Sequence, residues 1–369
     1  MYSPPPPTHT HTTHILKSTG PLSINAKPRQ SNIELLRILA MLLVLVVHAN
    51  FFSLGKPTYE ETVAQPMSSF LRFFVQSLSV FCVNVFVLIS GWFGIRPKVK
   101  SMGGFLFQCL FLGVLIHALM LLLGKVPFTR LGLTNCILIT NVNWFVIVYL
   151  LLCLFAPMLN DFVERYNERT LRNVIIAFYG FQTVYAWLTG SASSSLNQYS
   201  ALSLMGLYLL ARYVRLYPSF LTMRSKTFDL LVVASIVIVD AAVVFIGARF
   251  NITKLDMLFS YISPTVVVSA LYLLLYFTKI QFYSKFVNWV AASSFAAFLL
   301  HMHLDIVDIY YRSVIQTIYA QFQGLTVLVL ISIYILSIFI IAILFDQLRK
   351  FCWNFLWYKI EKEFLLSRL

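Results

Sequence analysis

Two residues in the first long apolar run have side chains and spacing suited to chemistry. Arg37 is followed by ten apolar residues and then His48. Eleven positions at about 100° each end roughly 20° past three full turns, so in a helix both side chains share one face, about 16 Å apart. A guanidinium binds phosphate through its fork of N–H groups. An imidazole deeper on the same face can act as general base or nucleophile. The pair suits a ligand with a phosphate-rich head and a long arm ending in a reactive group, which is the shape of acyl-coenzyme A. Each residue also has a plainer explanation. Arg37 alone can be a snorkelling topology anchor, and His48 alone a polar residue bonded to a neighbouring helix. Ser31 and Glu34 fit a capping box at the start of this helix.

Other polar residues lie inside apolar runs, where each is costly. His301 precedes Asp305 by four positions, so on a continuous helix the acid can orient that imidazole; His303 and Asp308 lie nearby. Asn84, Ser90 and Gly91 suit either a shared cavity or close helix packing through small residues. Trp144 and Tyr149 are candidates to line a pocket, while His117 reads as a packed residue. Asp240 is expected to pair with a cation or a hydroxyl on another helix. Arg96, Lys98 and Lys100 form a short basic cluster. Cys82, Cys109, Cys136, Cys153 and Cys352 show no C-x-x-C pair and read as small apolar residues.

The surrounding elements follow from composition. Hydrophobic residues make up 59% and charged residues 11%, with a mean hydropathy of +0.80. So little polar surface excludes a soluble enzyme of this size. Apolar runs that are long and continuous, rather than short and alternating, exclude a transmembrane β-barrel. The fold class expected is an all-α polytopic integral membrane protein. Spans are read near 33–53, 70–94, 104–123, 135–157, 172–190, 198–217, 228–248, 256–277, 286–308 and 324–346, ten in all. With the N-terminus in the cytoplasm, the inside segments hold 21 Lys and Arg and the outside segments 7. The positive-inside rule selects that orientation, with both termini cytoplasmic. The net charge of +14 therefore reads as a topology signal and not as a nucleic-acid footprint. Residues 1–30, with Pro4–Pro7 and a Thr/His stretch containing His9, His11 and His14, read as a disordered cytoplasmic tail. Residues 31–350 are expected to form the membrane domain and 351–369 a basic cytoplasmic tail.

Several segments together resemble the membrane acyltransferase-3 family, bacterial integral membrane acyltransferases that O-acylate surface sugars. IELLRILAMLLVLVVHAN carries the family's basic residue, ten-residue gap and histidine, as Arg37 and His48. NVFVLISGWFGIRPKVK, Asn84 to Lys100, resembles the second helix and its basic loop. NWFVIVYLLLCLFAPMLN, Asn143 to Asn160, resembles the fourth-helix region, and SSFAAFLLHMH, Ser293 to His303, the segment near a late histidine. The resemblance covers about residues 31–350. One departure is clear: the family often has two arginines three apart in the first inner loop, whereas here only Arg96 matches and lysines replace the rest. No hydrolase-like domain is expected after the last span.

The resemblance implies transfer of an acyl group, acetyl or another, from cytoplasmic acyl-CoA to a hydroxyl of a cell-surface or lipid-linked saccharide, in the inner (plasma) membrane of a bacterium. It assigns catalysis to His48 and His301 and acyl-CoA binding to Arg37, Arg96, Lys98 and Lys100. Glu34, Asn84, Trp144 and Tyr149 become pocket candidates. Acetyl-CoA or another acyl-CoA is the donor; no metal and no nucleic acid is called for, and membrane lipid is the surrounding partner. The competing class is a transporter or flippase for a lipid-linked saccharide or small metabolite, which midplane polar residues and a basic cytoplasmic face also suit.

Overall fold

In hydrocarbon every backbone N–H and C=O must find its partner within the protein, which favours helices for apolar segments of this length. The computed structural model describes residues 29–136, 144–189 and 198–366; the predicted N-terminal tail lies almost entirely outside them. No strand occurs among the described residues.

The chain opens with α1 (Ser31–Val47), which runs directly into a π-helical turn, His48–Phe52. There follow α2 (Tyr59–Ala64), α3 (Pro66–Ser79), α4 (Cys82–Phe93), α5 (Val99–Leu122), α6 (Arg130–Asn135), α7 (Trp144–Arg165), α8 (Glu168–Thr189), α9 (Ala201–Leu216) and α10 (Lys226–Arg249). A 3-10 turn, Thr253–Phe259, leads into α11 (Pro264–Thr278), then α12 (Lys285–Ala291), α13 (Phe295–His301) and α14 (Leu304–Ile306). A second π turn, Val307–Arg312, precedes α15 (Ser313–Gln321) and α16 (Leu325–Leu366).

Seven of these stretches are long and apolar enough to cross a membrane, or eight if the bent pair Lys285–His301 and Leu304–Gln321 counts as one broken span. The expected spans at 172–190 and 198–217 are the helices α8 and α9. α9 has 16 residues, short of the roughly 20 that cross the hydrocarbon core, and α8 dilutes its apolar run with Asn173, Gln182 and two tyrosines. α16 has 42 residues, about 63 Å of helix. It continues unbroken through position 350, the boundary expected between membrane domain and tail.

Local chemistry sets several boundaries. Thr58 and Glu61 form a reciprocal capping box on α2. Ser225, Ser284 and Ser200 cap α10, α12 and α9 with their side chains. The capping box expected at Ser31 and Glu34 does not form, and α1 has no side-chain cap. Ser31 Oγ instead donates to Asn288 Oδ1 (3.0 Å) and accepts from the Ser284 amide (2.9 Å). A long-range bond to α12 displaces the local one, and Glu34 turns to Arg37.

α1 is the central element, packed against α3, α4, α11, α12, α13 and α16. Gly91 serves packing. A Cβ on Gly91 would lie 2.5 Å from the Tyr208 carbonyl oxygen, so only glycine allows α4 to approach α9 this closely. Asp240 is buried on α10, with the Thr265 hydroxyl of α11 beside its carboxyl.

Candidate active site

Met41, Val44 and His48 form one stripe of α1 and face a chamber of about 520 Å³. Arg37 is one turn below Met41 on the same stripe. The helix therefore presents the guanidinium, the apolar wall and the imidazole in sequence. The opposite walls are mostly aromatic, with Trp144, Phe145, Phe298 and Tyr261 among them. A second recess of about 290 Å³ lies beyond His48, on the side away from Arg37. It shares Phe51, Gln76, Tyr199 and Tyr261 with the chamber and adds the ion pair of Lys56 and Asp256 (2.6 Å).

His48 opens the π turn at the end of α1. Such turns insert one extra residue and recur at functional sites. The carbonyl of His48 accepts from Ser53 Oγ at 2.7 Å. Its Nδ1 lies 2.8 Å from Nε2 of His301, across 253 positions of sequence. His301 is fully buried, and its Nδ1 lies 2.6 Å from the carbonyl of Ala297.

These contacts fix the tautomers. A carbonyl oxygen only accepts, so His301 Nδ1 carries the hydrogen. In neutral His301 the Nε2 is then an acceptor, and His48 Nδ1 donates to it. Among the described residues the remaining His48 nitrogen, Nε2, has no partner and keeps its lone pair. Tyr311 supports the arrangement: its ring lies 4.9 Å from that of His301, and its hydroxyl donates to the Leu45 carbonyl on α1.

The acid expected to orient His301 does not do so. The helix breaks after His301, with a 62° bend between its two halves, and the i,i+4 register fails across it. Asp305 instead lies 2.6 Å from His117 Nδ1, which donates to the carboxylate. The Asp305 amide donates to His303 Nδ1 (3.2 Å), and His303 Nε2 donates to the Gly113 carbonyl (3.2 Å). His117 is thus packed, as its position suggested, with an acid as partner.

Arg37 Nη1 lies 3.5 Å from Glu34 Oε1. Oε2 of Glu34 is buried without a partner among the described residues. The basic loop reaches the same end of the bundle as Arg37, because α4 runs from the chamber wall at Val83 and Phe86 to Phe93. Gly94 ends α4 with φ +76°, a conformation that favours glycine. Ile95 is then held by a ring of bonds: its N–H donates to Tyr208 Oη (2.9 Å), Tyr208 donates to Asn160 Oδ1 (2.7 Å), and Asn160 Nδ2 donates to the Ile95 carbonyl (2.9 Å). Arg96 and Lys98 project from this fixed base, both exposed. Lys100 lies 3.7 Å from Glu361 and 5.3 Å from the Trp357 ring, both on α16. Among the described residues no hydrogen bond or ion pair joins Arg37 to Arg96, Lys98 or Lys100.

The pocket candidates separate. Trp144 lines the chamber, stacked on Tyr261 at 6.2 Å. Tyr149 stacks on Phe145 (5.7 Å), and its hydroxyl lies 3.1 Å from Ser90 Oγ. Asn84 Nδ2 donates to the Tyr261 carbonyl (2.8 Å) and so braces the chamber from behind. Glu34 stays with Arg37. Sequence reasoning missed Gln76, a nine-tenths-buried side chain on the wall of both cavities. An isolated glutamine in an apolar run was its only signal.

No curated protein and no solved structure matches the chain. A family described as an acyltransferase domain matches residues 30–346, which include α1 with Arg37 and His48, the basic loop, the broken helix pair after α12 and most of the membrane-spanning part of α16. A helical membrane protein matched over that length belongs to the acyltransferase-3 family and is a membrane acyltransferase.

Proposed function

We propose that the protein is an O-acyltransferase that takes an acyl group, acetyl or another, from acyl-CoA at the Arg37 end and passes it to a hydroxyl of a cell-surface or lipid-linked saccharide entering from the opposite side. One observation supports this above the others: His48 faces the chamber with Nε2 free as a base while its Nδ1 is held by His301. Arg37, with Arg96, Lys98 and Lys100, would hold the phosphates in the cytoplasm. The pantetheine arm would follow the Met41–Val44 stripe, and the about 16 Å from Arg37 to His48 suits its reach. The aromatic surfaces of Trp144 and Tyr261 suit a sugar ring, and the recess with Lys56 and Asp256 offers the polar approach a saccharide needs. The membrane would be the inner membrane of a bacterium.

His48 Nε2 would take the proton of the acceptor hydroxyl as its oxygen attacks the thioester carbonyl. Donation from His48 Nδ1 to His301 Nε2 favours the imidazolium that forms, as the oriented third member of a triad does for its histidine. A transporter would also tolerate a broken span, but it has no need of a base held in one tautomer beside an apolar chamber.

The test is transfer itself. Purified protein in proteoliposomes is given labelled acetyl-CoA and the glycolipid extract of the producing membrane. The expected result is label in glycolipid with wild type and a loss of about 10²–10⁴-fold with His48→Gln, the range for removal of a general base. Near-wild-type transfer by His48→Gln would falsify the role of His48.

A further inference from the structure

We infer that Gln76 is the oxyanion donor of this centre, its amide Nε2–H facing the position where negative charge develops on the thioester carbonyl oxygen. The inference rests on the acyl-transfer reading above and adds the residue that would stabilise the charged intermediate.

Gln76 lies on α3, 8% exposed, at the junction of the chamber and the recess. A chain of hydrogen bonds fixes the direction of its carboxamide. Asn50 Nδ2 lies 2.8 Å from the Arg72 carbonyl, which can only accept, so the orientation of the Asn50 amide is set. Asn50 Oδ1 is thereby turned to Arg72 Nε (3.5 Å), and the same Nδ2 donates to Gln76 Oε1 (3.3 Å). Gln76 Oε1 therefore points at Asn50, and its NH₂ must point elsewhere. Among the described residues no group accepts from that NH₂, yet it is not among the side-chain nitrogens sealed from solvent without a partner. It opens to the cavity.

Asn50 is two residues beyond His48, within the same π turn. The turn that positions the base thus also holds, through Asn50, an amide on the wall of the same chamber. An oxyanion donor must be held before the charge appears, because the benefit lies in avoiding reorganisation. Gln76 meets that condition through Asn50 and Arg72, and Arg72 is itself bonded to the Gly55 carbonyl and sits 5.3 Å from the Tyr319 ring.

The step balances as follows. The acceptor oxygen forms a bond to the thioester carbon while its proton moves to His48 Nε2. The carbonyl π electrons move onto oxygen, which accepts the Gln76 N–H. Collapse re-forms the carbonyl and breaks the C–S bond, and the departing sulfur takes the proton from His48 as free coenzyme A. The products are the ester and the thiol.

The experiment compares two reactions of reconstituted protein with labelled acetyl-CoA: transfer to the glycolipid extract, and hydrolysis by water without acceptor. Both pass through an oxyanion on the same carbonyl. Gln76→Met is expected to lower kcat of both by about 10²-fold, with KM for acetyl-CoA within about threefold of wild type. Should Gln76→Met be lost from the membrane, Gln76→Glu keeps the length and the acceptor for Asn50 and is expected to lower both rates at least as far. Lower transfer with unchanged hydrolysis would overturn the inference and make Gln76 an acceptor-binding group. Unchanged rates in both variants, with wild type active, would overturn it while leaving the acyl-transfer reading in place. A wild type that neither transfers nor hydrolyses sinks that reading, and the inference with it.

Discussion

His48 Nδ1 and His301 Nε2 lie 2.8 Å apart, and the Ala297 carbonyl behind His301 decides which nitrogen of each ring bears hydrogen. The chain of three groups ends in a neutral backbone oxygen. His301 can therefore hold the His48 tautomer without placing a net charge in the bundle, which in hydrocarbon would be costly.

His301 is predicted to act through His48. His301→Phe keeps a ring against Tyr311 but leaves His48 Nδ1 without its acceptor. The expected outcome is a fall in kcat of about 10²-fold or more with KM for acetyl-CoA unchanged, within the range for a lost orienting partner. The double variant with His48→Gln should lose no more than His48→Gln alone, since residues acting as a unit are non-additive. Additive losses would mean that His301 works apart from His48.

Arg37→Ala is predicted to weaken acyl-CoA binding. A hydrogen bond to a charged group contributes about 1.5–3 kcal/mol, so affinity should fall about 10–100-fold, with Arg37→Lys between the two. Glu34→Gln removes the negative charge 3.5 Å from Arg37 and should tighten binding. Calorimetry on detergent-solubilised protein checks all three. Equal affinity in wild type and Arg37→Ala returns Arg37 to the role of a topology anchor.

Gly91→Ala tests the packing beneath the basic loop. The new Cβ meets the Tyr208 carbonyl oxygen at 2.5 Å and the Ala211 Cβ at 2.9 Å, so α4 and α9 must shift apart to admit it. Overpacking of this kind costs about 1–3 kcal/mol. Thermal unfolding should begin at lower temperature, and the variant should also hold acyl-CoA less well, because Tyr208 anchors Ile95.

Topology is tested by labelling single cysteines from outside the cell. Cys352→Ser provides the background, since the other four cysteines are buried. Glu60→Cys should be labelled and Lys98→Cys protected. The reverse pattern inverts the orientation and moves the proposed donor site to the outer face.

What could be read from the sequence was local. The stripe of Arg37, Met41, Val44 and His48 depends only on helical periodicity, and the fold preserves it. The family followed from the same stripe and the segments after it. The pairing of His48 with His301 was out of reach, because it joins residues 253 positions apart and nothing in either neighbourhood names the other. The Asp305 error has a specific cause. An i,i+4 argument assumes an unbroken helix, and the break falls between the two residues. The Ser31 error is similar: a capping box is a local expectation, and Asn288 and Ser284 outcompeted it. Gln76 could not be recognised, because its meaning depends on which way its amide points, and Asn50 and Arg72 determine that.

The ring of bonds around Ile95 bears on the energetics of ligand capture. A loop that must stiffen when it meets an anion pays about 1–2 kcal/mol for each residue it orders. Here both polar backbone groups of Ile95 are already committed to Tyr208 and Asn160, so the segment bearing Arg96 and Lys98 has little main-chain freedom to lose. Only the two long side chains need to settle. An anion arriving there would meet a charge array assembled beforehand, and residence time rather than encounter rate would gain most from it.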